Sequence, residues 1–218
     1  MRELDLLLAE RRRRTERTRL FRYQPYKKQK QFHALGADHS ERLLMAANKV
    51  GKTYCGAAEM SIHLTGRYPD WWEGRRWSRP IRAWCGSDTY DNTRNGTQRL
   101  LVGEPEDEQA WGTGLIPGDD LLDWSRHQGS STHLDGLLVR HVTGGCSMLA
   151  FKSYDQGRRR WQVEDLDAVW FDEEPEEDIY TEGKTRVNAR NGMIYMTFTP
   201  LMGESTVVHE FIEECGLD

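Results

Sequence analysis

The run Leu43-Leu44-Met45-Ala46-Ala47-Asn48-Lys49-Val50-Gly51-Lys52-Thr53 constrains this chain more than any other stretch. An apolar, strand-like segment enters a short polar turn, then Gly-Lys-Thr, then a helix-like segment. A strand that passes into a helix through so few residues aims the turn N–H groups and the helix N-terminus at one point. That is the layout of a phosphate-binding P-loop. In such a loop Lys52 neutralises phosphate charge and the Thr53 hydroxyl sits on Mg²⁺. Ala46 stands where the first glycine is usual, and alanine tolerates fewer backbone angles. Read alone, these residues also suit a turn that merely opens a helix.

A second stretch weighs against that plainer reading. Leu166-Asp167-Ala168-Val169-Trp170-Phe171-Asp172-Glu173-Glu174-Pro175 reads as a buried strand ending in carboxylates. Downstream of a P-loop, Asp172 is placed to hold Mg²⁺, and Glu173 to orient and deprotonate an attacking water. Acidic residues also favour the first turn of a helix, and for Glu174, Glu176 and Glu177 that explanation is preferred.

The 218 residues fit one α/β domain with an ample core, and 30 % are charged, as expected of a soluble protein. No apolar run approaches the length of a membrane span, and Leu6-Leu7-Leu8-Ala9 is too short for a signal sequence. Cys55, Cys85, Cys146 and Cys215 lack paired spacing and read as free thiols. Charge is uneven. Residues 1–50 carry 13 Lys and Arg against 6 Asp and Glu, whereas residues 161–218 carry 3 against 15. This division suits either an interaction surface or solvated helices.

Periodicity predicts helices over 3–20, about 52–65, 88–102 and 176–190. It predicts strands at about 42–47, 81–85, 137–143, 147–152, in the acidic run, and over 193–199. The Gly-, Asp-, Glu- and Pro-rich stretch 103–136 reads as an insertion or mobile loop. Strands alternating with helices predict a mostly parallel sheet flanked by helices, with ligands beyond the strand C-terminal edges.

Five ordered motifs, between about Tyr23 and Phe211, resemble the N-terminal ATPase domain of the large terminase subunit of tailed bacteriophages. Tyr23-x-Pro25 with Gln29 and Phe32 resembles the adenine-contacting Gln motif. Ala46 to Thr53 resembles the family's deviant P-loop. Ser153-Tyr154-Asp155-Gln156-Gly157-Arg158 with Trp161-Gln162 resembles the segment leading into the acidic strand. Trp170 to Pro175 resembles the Walker B box, and Thr197-Phe198-Thr199-Pro200-Leu201-x-Gly203-x-Ser205 the coupling motif. Two departures stand out: Asn48-Lys49 where some members place an arginine, and Val163 where many have glycine.

The resemblance implies a P-loop NTPase of RecA/ASCE-like fold. It divides the chain into a basic helix and adenine-binding segment over 1–40 and an ATPase core over 41–218. It implies ATP and Mg²⁺ as cofactors. The nucleotide would be held by Gln29, Tyr23 and the loop residues Ala46, Ala47, Asn48, Lys49, Val50, Gly51, Lys52 and Thr53, with Tyr23 or Phe32 beside the base. The metal would be held by Thr53 and Asp172, and catalysis carried by Glu173 and Lys52. Thr197 and Thr199 would sense the γ-phosphate. Arg158 is the favoured arginine finger over Arg159, Arg160, Arg186 and Arg190, and a solvated basic turn or a DNA phosphate contact explains it at least as well.

The implied partners are double-stranded DNA through its phosphates, the portal protein, the small terminase subunit and further copies in a ring. The implied location is the host cytoplasm, docked on the procapsid. The family's nuclease domain is expected beyond Asp218, so no DNA cleavage is expected of these residues. Two rival readings are a DEAD-like helicase fragment and a catalytically silent nucleotide-binding module. A small-molecule kinase is disfavoured.

Overall fold

Apolar residues run almost without interruption along the central strands, so each strand supplies both faces of a sheet. The computed structural model describes residues 2–162, 164–200, 207–209 and 211. Helix α1 spans Arg2–Glu16 and α2 spans Lys27–Leu35. Strand β1 (Glu41–Met45) leads into α3 (Lys52–Thr65), and β2 spans Arg82–Ser87. A helical stretch follows, made of α4 (Tyr90–Asn92), a π-helical turn (Thr93–Gln98) and α5 (Arg99–Val102). Strands β3 (Leu121–Arg126), β4 (Leu134–Arg140), β5 (Cys146–Ser153) and β6 (Ala168–Asp172) precede α6 (Glu177–Asn188) and β7 (Met193–Phe198).

The seven strands form one sheet in the order β1-β7-β6-β2-β5-β4-β3. The first five are parallel to their neighbours, and β4 and β3 continue the sheet antiparallel. Along β6, Ala168 and Trp170 face one core with Cys55, Ala57, Ala58 and Met60 of α3. Val169 and Phe171 face the other, with Trp161 and with Ile179, Tyr180 and Val187 of α6. Helices α3 and α6 therefore cover opposite faces of the sheet. Gly56 lets α3 lie directly on Trp170, since a Cβ there would stand 2.6 Å from the indole. The Tyr195 hydroxyl donates to the Gly56 carbonyl at 2.9 Å and fixes the same contact.

The mostly parallel sheet agrees with the sequence expectation, but three elements differ. The stretch 103–136, read as a loop, contains β3 and the start of β4. Strand β3 is the edge strand of the sheet, and its exposed Leu122, Asp123, Ser125 and Arg126 break the apolar run that marks a buried strand. Residues 27–35, where the periodicity predicts no element, form α2, whose charged residues are interspersed with the buried Gln29, Phe32 and His33. The helix expected over 88–102 starts at Tyr90, capped by the Thr89 side chain, and contains the π-helical turn. Leu4, Leu7 and Leu8 of α1 are exposed. Among the described residues no helix is long and apolar enough to cross a membrane. Cys55 and Cys85 are buried free thiols and Cys146 is an exposed one, while Cys215 lies outside the described residues.

At the opposite end of β6, the buried Asp167 carboxylate joins several elements. It accepts from Arg79 at 2.6 and 3.1 Å, from Arg190 at 2.9 Å and from the Arg82 N–H at 2.8 Å. Burial pushes this carboxyl up, but the bonds from Arg79, Arg82 and Arg190 outweigh it and hold it below the usual range. Its stabilising contribution is therefore present above the ordinary value of 3.8 and is lost as pH falls through the lower folded value. Asp167→Ala is expected to cost about 2–3 kcal/mol at pH 7 in urea unfolding, with the gap to wild type narrowing below about pH 4. A loss under about 0.5 kcal/mol at pH 7 would contradict this.

Candidate nucleotide site

The residues between β1 and α3 form a tight loop whose backbone burden falls on two positions. Gly51 has φ +84° and Lys49 has φ +64°, whereas Ala46 is not in the left-handed region. The absent first glycine therefore costs no backbone strain here, since an alanine adopts the angles used at 46. Ala46 instead extends the sheet, its N–H reaching the Phe198 carbonyl at 3.4 Å. Lys52 is buried at the first turn of α3, and its ammonium donates to the Ala47 carbonyl at 2.8 Å. The cation thus already points into the loop that would cradle a phosphate.

The acidic box lies across the sheet edge from the loop. Thr197 Oγ1 donates to Asp172 Oδ1 at 2.7 Å and accepts from Trp170 Nε1 at 2.8 Å. Burial pushes the Asp172 carboxyl up to about 7, against hydrogen bonds from Thr197 and Thr53 and the charge of Lys52, while Glu173 adds to the rise. Thr53 and Asp172 are therefore neighbours, as their expected joint metal role requires. A hydroxyl and a carboxylate form an all-oxygen donor pair, which suits Mg²⁺ completed by phosphate oxygens and water. Gly96 of the π-helical turn faces the same carboxylate, so a Cβ there would stand 3.9 Å from Asp172 Oδ2.

Glu173 follows the strand with φ +67°, a conformation uncommon for a residue with a side chain. Its surroundings hold it there. Its N–H donates to the Thr197 carbonyl at 2.8 Å, and its own carbonyl accepts the Tyr154 hydroxyl at 2.8 Å. One carboxylate oxygen accepts from the Thr199 N–H at 3.2 Å, and the Thr199 hydroxyl donates to Asn48 Oδ1 of the loop at 2.8 Å. Thr199 therefore touches both the loop and the candidate base. Tyr154 is thus a supporting residue, and nothing in its residue type marks it among the chain's other aromatics. Glu174 has a buried oxygen without a hydrogen-bond partner, and burial and Glu173 raise its carboxyl.

On the other side of Gly51, a cavity of about 360 Å³ is lined by Arg22, Tyr23, Gln24, Tyr26, Gln29, Gly51 and Tyr54. The Gln29 amide accepts from the Tyr26 N–H at 2.9 Å and donates to the Gly51 carbonyl at 3.1 Å, leaving one N–H and one lone pair. Tyr26 is 72 % exposed and Tyr54 is 36 % exposed, so both rings offer a face to a base. Tyr23 is a buried wall with its hydroxyl on His33 at 2.9 Å. Phe32 does not face the cavity: it is buried under the Arg42 guanidinium, 4.9 Å from its ring centroid, and beside Tyr195. A larger cavity of about 490 Å³ lies over β2 to β5 and contains none of the groups that act on phosphate.

Arg158 is not brought to this site. Its Nε pairs with Glu182 at 3.0 Å on α6, the helix on the sheet face opposite α3. Its place after Gly157 in the family-like segment favours it as a finger, but Trp161, buried against Trp84 and Phe171, anchors that segment over α6. Arg186 pairs with Glu182 and Arg190 with Asp167. Arg159 and Arg160 are exposed, and no ion pair involves either among the described residues. The part of the coupling motif from Leu201 to Ser205 lies outside the described residues.

The raised Asp172 carboxyl has a testable sign. A folded value above the ordinary 3.8 favours the neutral acid, so its contribution to stability is present below about 3.8 and lost as pH rises through about 7. Without metal, Asp172→Asn is expected to be more stable than wild type at pH 8, by on the order of 3 kcal/mol. The difference should shrink toward pH 4. Urea unfolding in EDTA measures it, and equal stabilities at pH 8 would contradict the assignment.

Comparison with known proteins bears on this geometry. The family model described as terminase large subunit, T4likevirus-type, N-terminal, matches residues 43–216. The terminase large subunit of Salmonella phage P22 is 41 % identical over 211 residues, which cover 89 % of this chain and 42 % of that protein. The large terminase of a thermophilic bacteriophage shares the fold with a TM-score of 0.62 at 11 % identity, over 88 % of this chain and 44 % of that one. The chain spans less than half the length of these relatives.

Proposed function

The chain belongs to the terminase large-subunit family, and we propose that it hydrolyses ATP to drive double-stranded DNA into a procapsid. One observation carries the proposal: the P-loop, Asp172 and Glu173, and Thr197 and Thr199 converge on one edge of the sheet, with Thr199 bonded to both Asn48 and Glu173.

In this reading the adenine enters the cavity beside Gln29, between Tyr26 and Tyr54, with Tyr23 as its wall. Lys52 exchanges the Ala47 carbonyl for phosphate oxygens. Thr53 and Asp172 would hold Mg²⁺, which would neutralise charge on the phosphate oxygens. Glu173 orients a water and takes its proton as the water oxygen attacks the γ-phosphorus. The bond to the bridging oxygen breaks and leaves ADP and inorganic phosphate. Thr199, on Asn48 and Glu173 at once, relays loss of the γ-phosphate into the segment after β7. Lys49, exposed in its left-handed position, stands nearest to where some members of the family place an arginine.

The arginine that would complete the charge stabilisation comes, in this reading, from a neighbouring copy. Arg158 is bound to Glu182 within its own chain but is half exposed, so it can be offered to another copy's site in a ring. DNA contact is to phosphates, since a motor must move any sequence. The portal protein and the small terminase subunit are the further partners, and the setting is the host cytoplasm. The reading assigns ATP hydrolysis to this chain and no DNA cleavage.

Mg²⁺-dependent ATP turnover, measured over a range of protein concentrations, tests this. Glu173→Gln is expected to lower kcat by at least about 100-fold while nucleotide affinity is kept. Wild-type turnover per chain should rise with concentration. Binding without turnover at every concentration would reduce the chain to a nucleotide-binding module.

A further inference from the structure

Helices α2 and α3 meet along a ladder with four-residue steps on both sides. Gln29 of α2 donates to the carbonyl of Gly51, the residue that opens α3, at 3.1 Å. One turn further along each helix, His33 Nε2 lies 3.5 Å from Cys55 Sγ, and His33 Nδ1 is 2.7 Å from Glu59 Oε2. Residues four apart share a helix face, so Gln29 and His33 look at Gly51, Cys55 and Glu59 together.

The ladder ends in a charge cluster that the hydrolysis mechanism does not use. The other Glu59 oxygen accepts from the Arg42 guanidinium of β1 and lies 3.5 Å from His63 Nε2. Arg42 also donates to the Phe32 carbonyl of α2 at 3.0 Å. At the opposite end of the chain of contacts, the Tyr23 hydroxyl meets His33 Nε2 at 2.9 Å. The His33, Glu59 and Arg42 side chains are 1 %, 0 % and 2 % exposed. Rings of Trp71 and Trp72 pack on His33 at 5.7 and 5.1 Å.

Burial opposes ionisation of Glu59, but Arg42, His33 and His63 outweigh it and hold the carboxyl well below the usual range. Burial raises the Tyr23 hydroxyl, which therefore remains a donor. Such a cluster contributes little net stability compared with apolar side chains of the same volume. What it adds is direction: apolar contacts tolerate sliding between helices, whereas these bonds are satisfied in one register only.

We propose that Tyr23, His33, Glu59 and Arg42 are positioning residues for base recognition: they hold α2 in one register on α3, and that register places the Gln29 amide at the edge of the purine. The proposal rests on the nucleotide-site reading above. It predicts that damage to the ladder is felt by the base and not by the phosphates, because Lys52 and Thr53 belong to α3 itself.

The test titrates wild type and His33→Phe with ATP, GTP and tripolyphosphate, each with Mg²⁺. His33→Phe keeps a ring but removes both ring nitrogens and with them the contacts to Tyr23, Cys55 and Glu59. Its Kd for ATP is expected to rise on the order of tenfold, with tripolyphosphate unchanged within about twofold and the preference for ATP over GTP reduced. An unchanged Kd for ATP, or an equal rise for ATP and tripolyphosphate, would overturn the proposal. If circular dichroism shows His33→Phe unfolded, Tyr23→Phe, which deletes one hydroxyl, carries the same comparison with an expected rise of about threefold. Wild-type protein that binds ATP no better than tripolyphosphate would remove the base-recognition reading of Gln29 itself, a separate failure.

Discussion

The hydrogen bond from Thr197 Oγ1 to Asp172 Oδ1 organises the candidate site. It joins the last residue of β6 to a neighbouring residue of β7, and the Trp170 indole holds the same hydroxyl from the side. With both strand ends locked, the backbone can turn sharply at Glu173 into its left-handed conformation, and Tyr154 secures the turn through the Glu173 carbonyl. Strain at one residue persists only where several neighbours determine it, and here Thr197, Tyr154 and Thr199 do so together. The proposed metal-holding role of Asp172, base role of Glu173 and coupling role of Thr199 all depend on that lock.

The opposed demands on Asp172 follow from the same arrangement. Two hydroxyls and a nearby ammonium favour its charged form, yet burial raises the carboxyl to about 7. A buried carboxylate poorly compensated in this way is unfavourable for the fold and favourable for a cation. The Lys52 ammonium shows the complementary situation, donating to a loop carbonyl that a phosphate oxygen can replace. Structural charge is handled differently at the other end of β6, where Asp167 is surrounded by Arg79, Arg190 and a backbone N–H.

Much of this was legible in the residues. The loop from Ala46 to Thr53 and the run from Trp170 to Glu173 announce themselves because strand, turn and carboxylate occur in a fixed local order. Thr197 and Thr199 were placed by the family resemblance, and the sheet geometry shows only their adjacency to the acidic box. What was not legible depends on contacts distant in sequence. Tyr26 and Tyr54 flank the Gln29 cavity only because α2 lies on α3, and no local pattern marks them. Arg158 follows a motif, yet the burial of Trp161 directs it to Glu182. Strand β3 is exposed at Leu122, Asp123, Ser125 and Arg126 without alternation, which reads as loop until its pairing with β4 is known. Ala46 in place of the usual glycine costs nothing, because positive φ is required at 49 and 51 instead.

A crystal structure with Mg²⁺ and a non-hydrolysable ATP analogue tests the account most directly. The account predicts the triphosphate in the loop from Ala46 to Thr53, Lys52 Nζ moved from the Ala47 carbonyl to a phosphate oxygen, the metal on Thr53 and Asp172, and the base beside Gln29. A nucleotide bound elsewhere, such as the cavity over β2 to β5, with Lys52 still on Ala47, would contradict it.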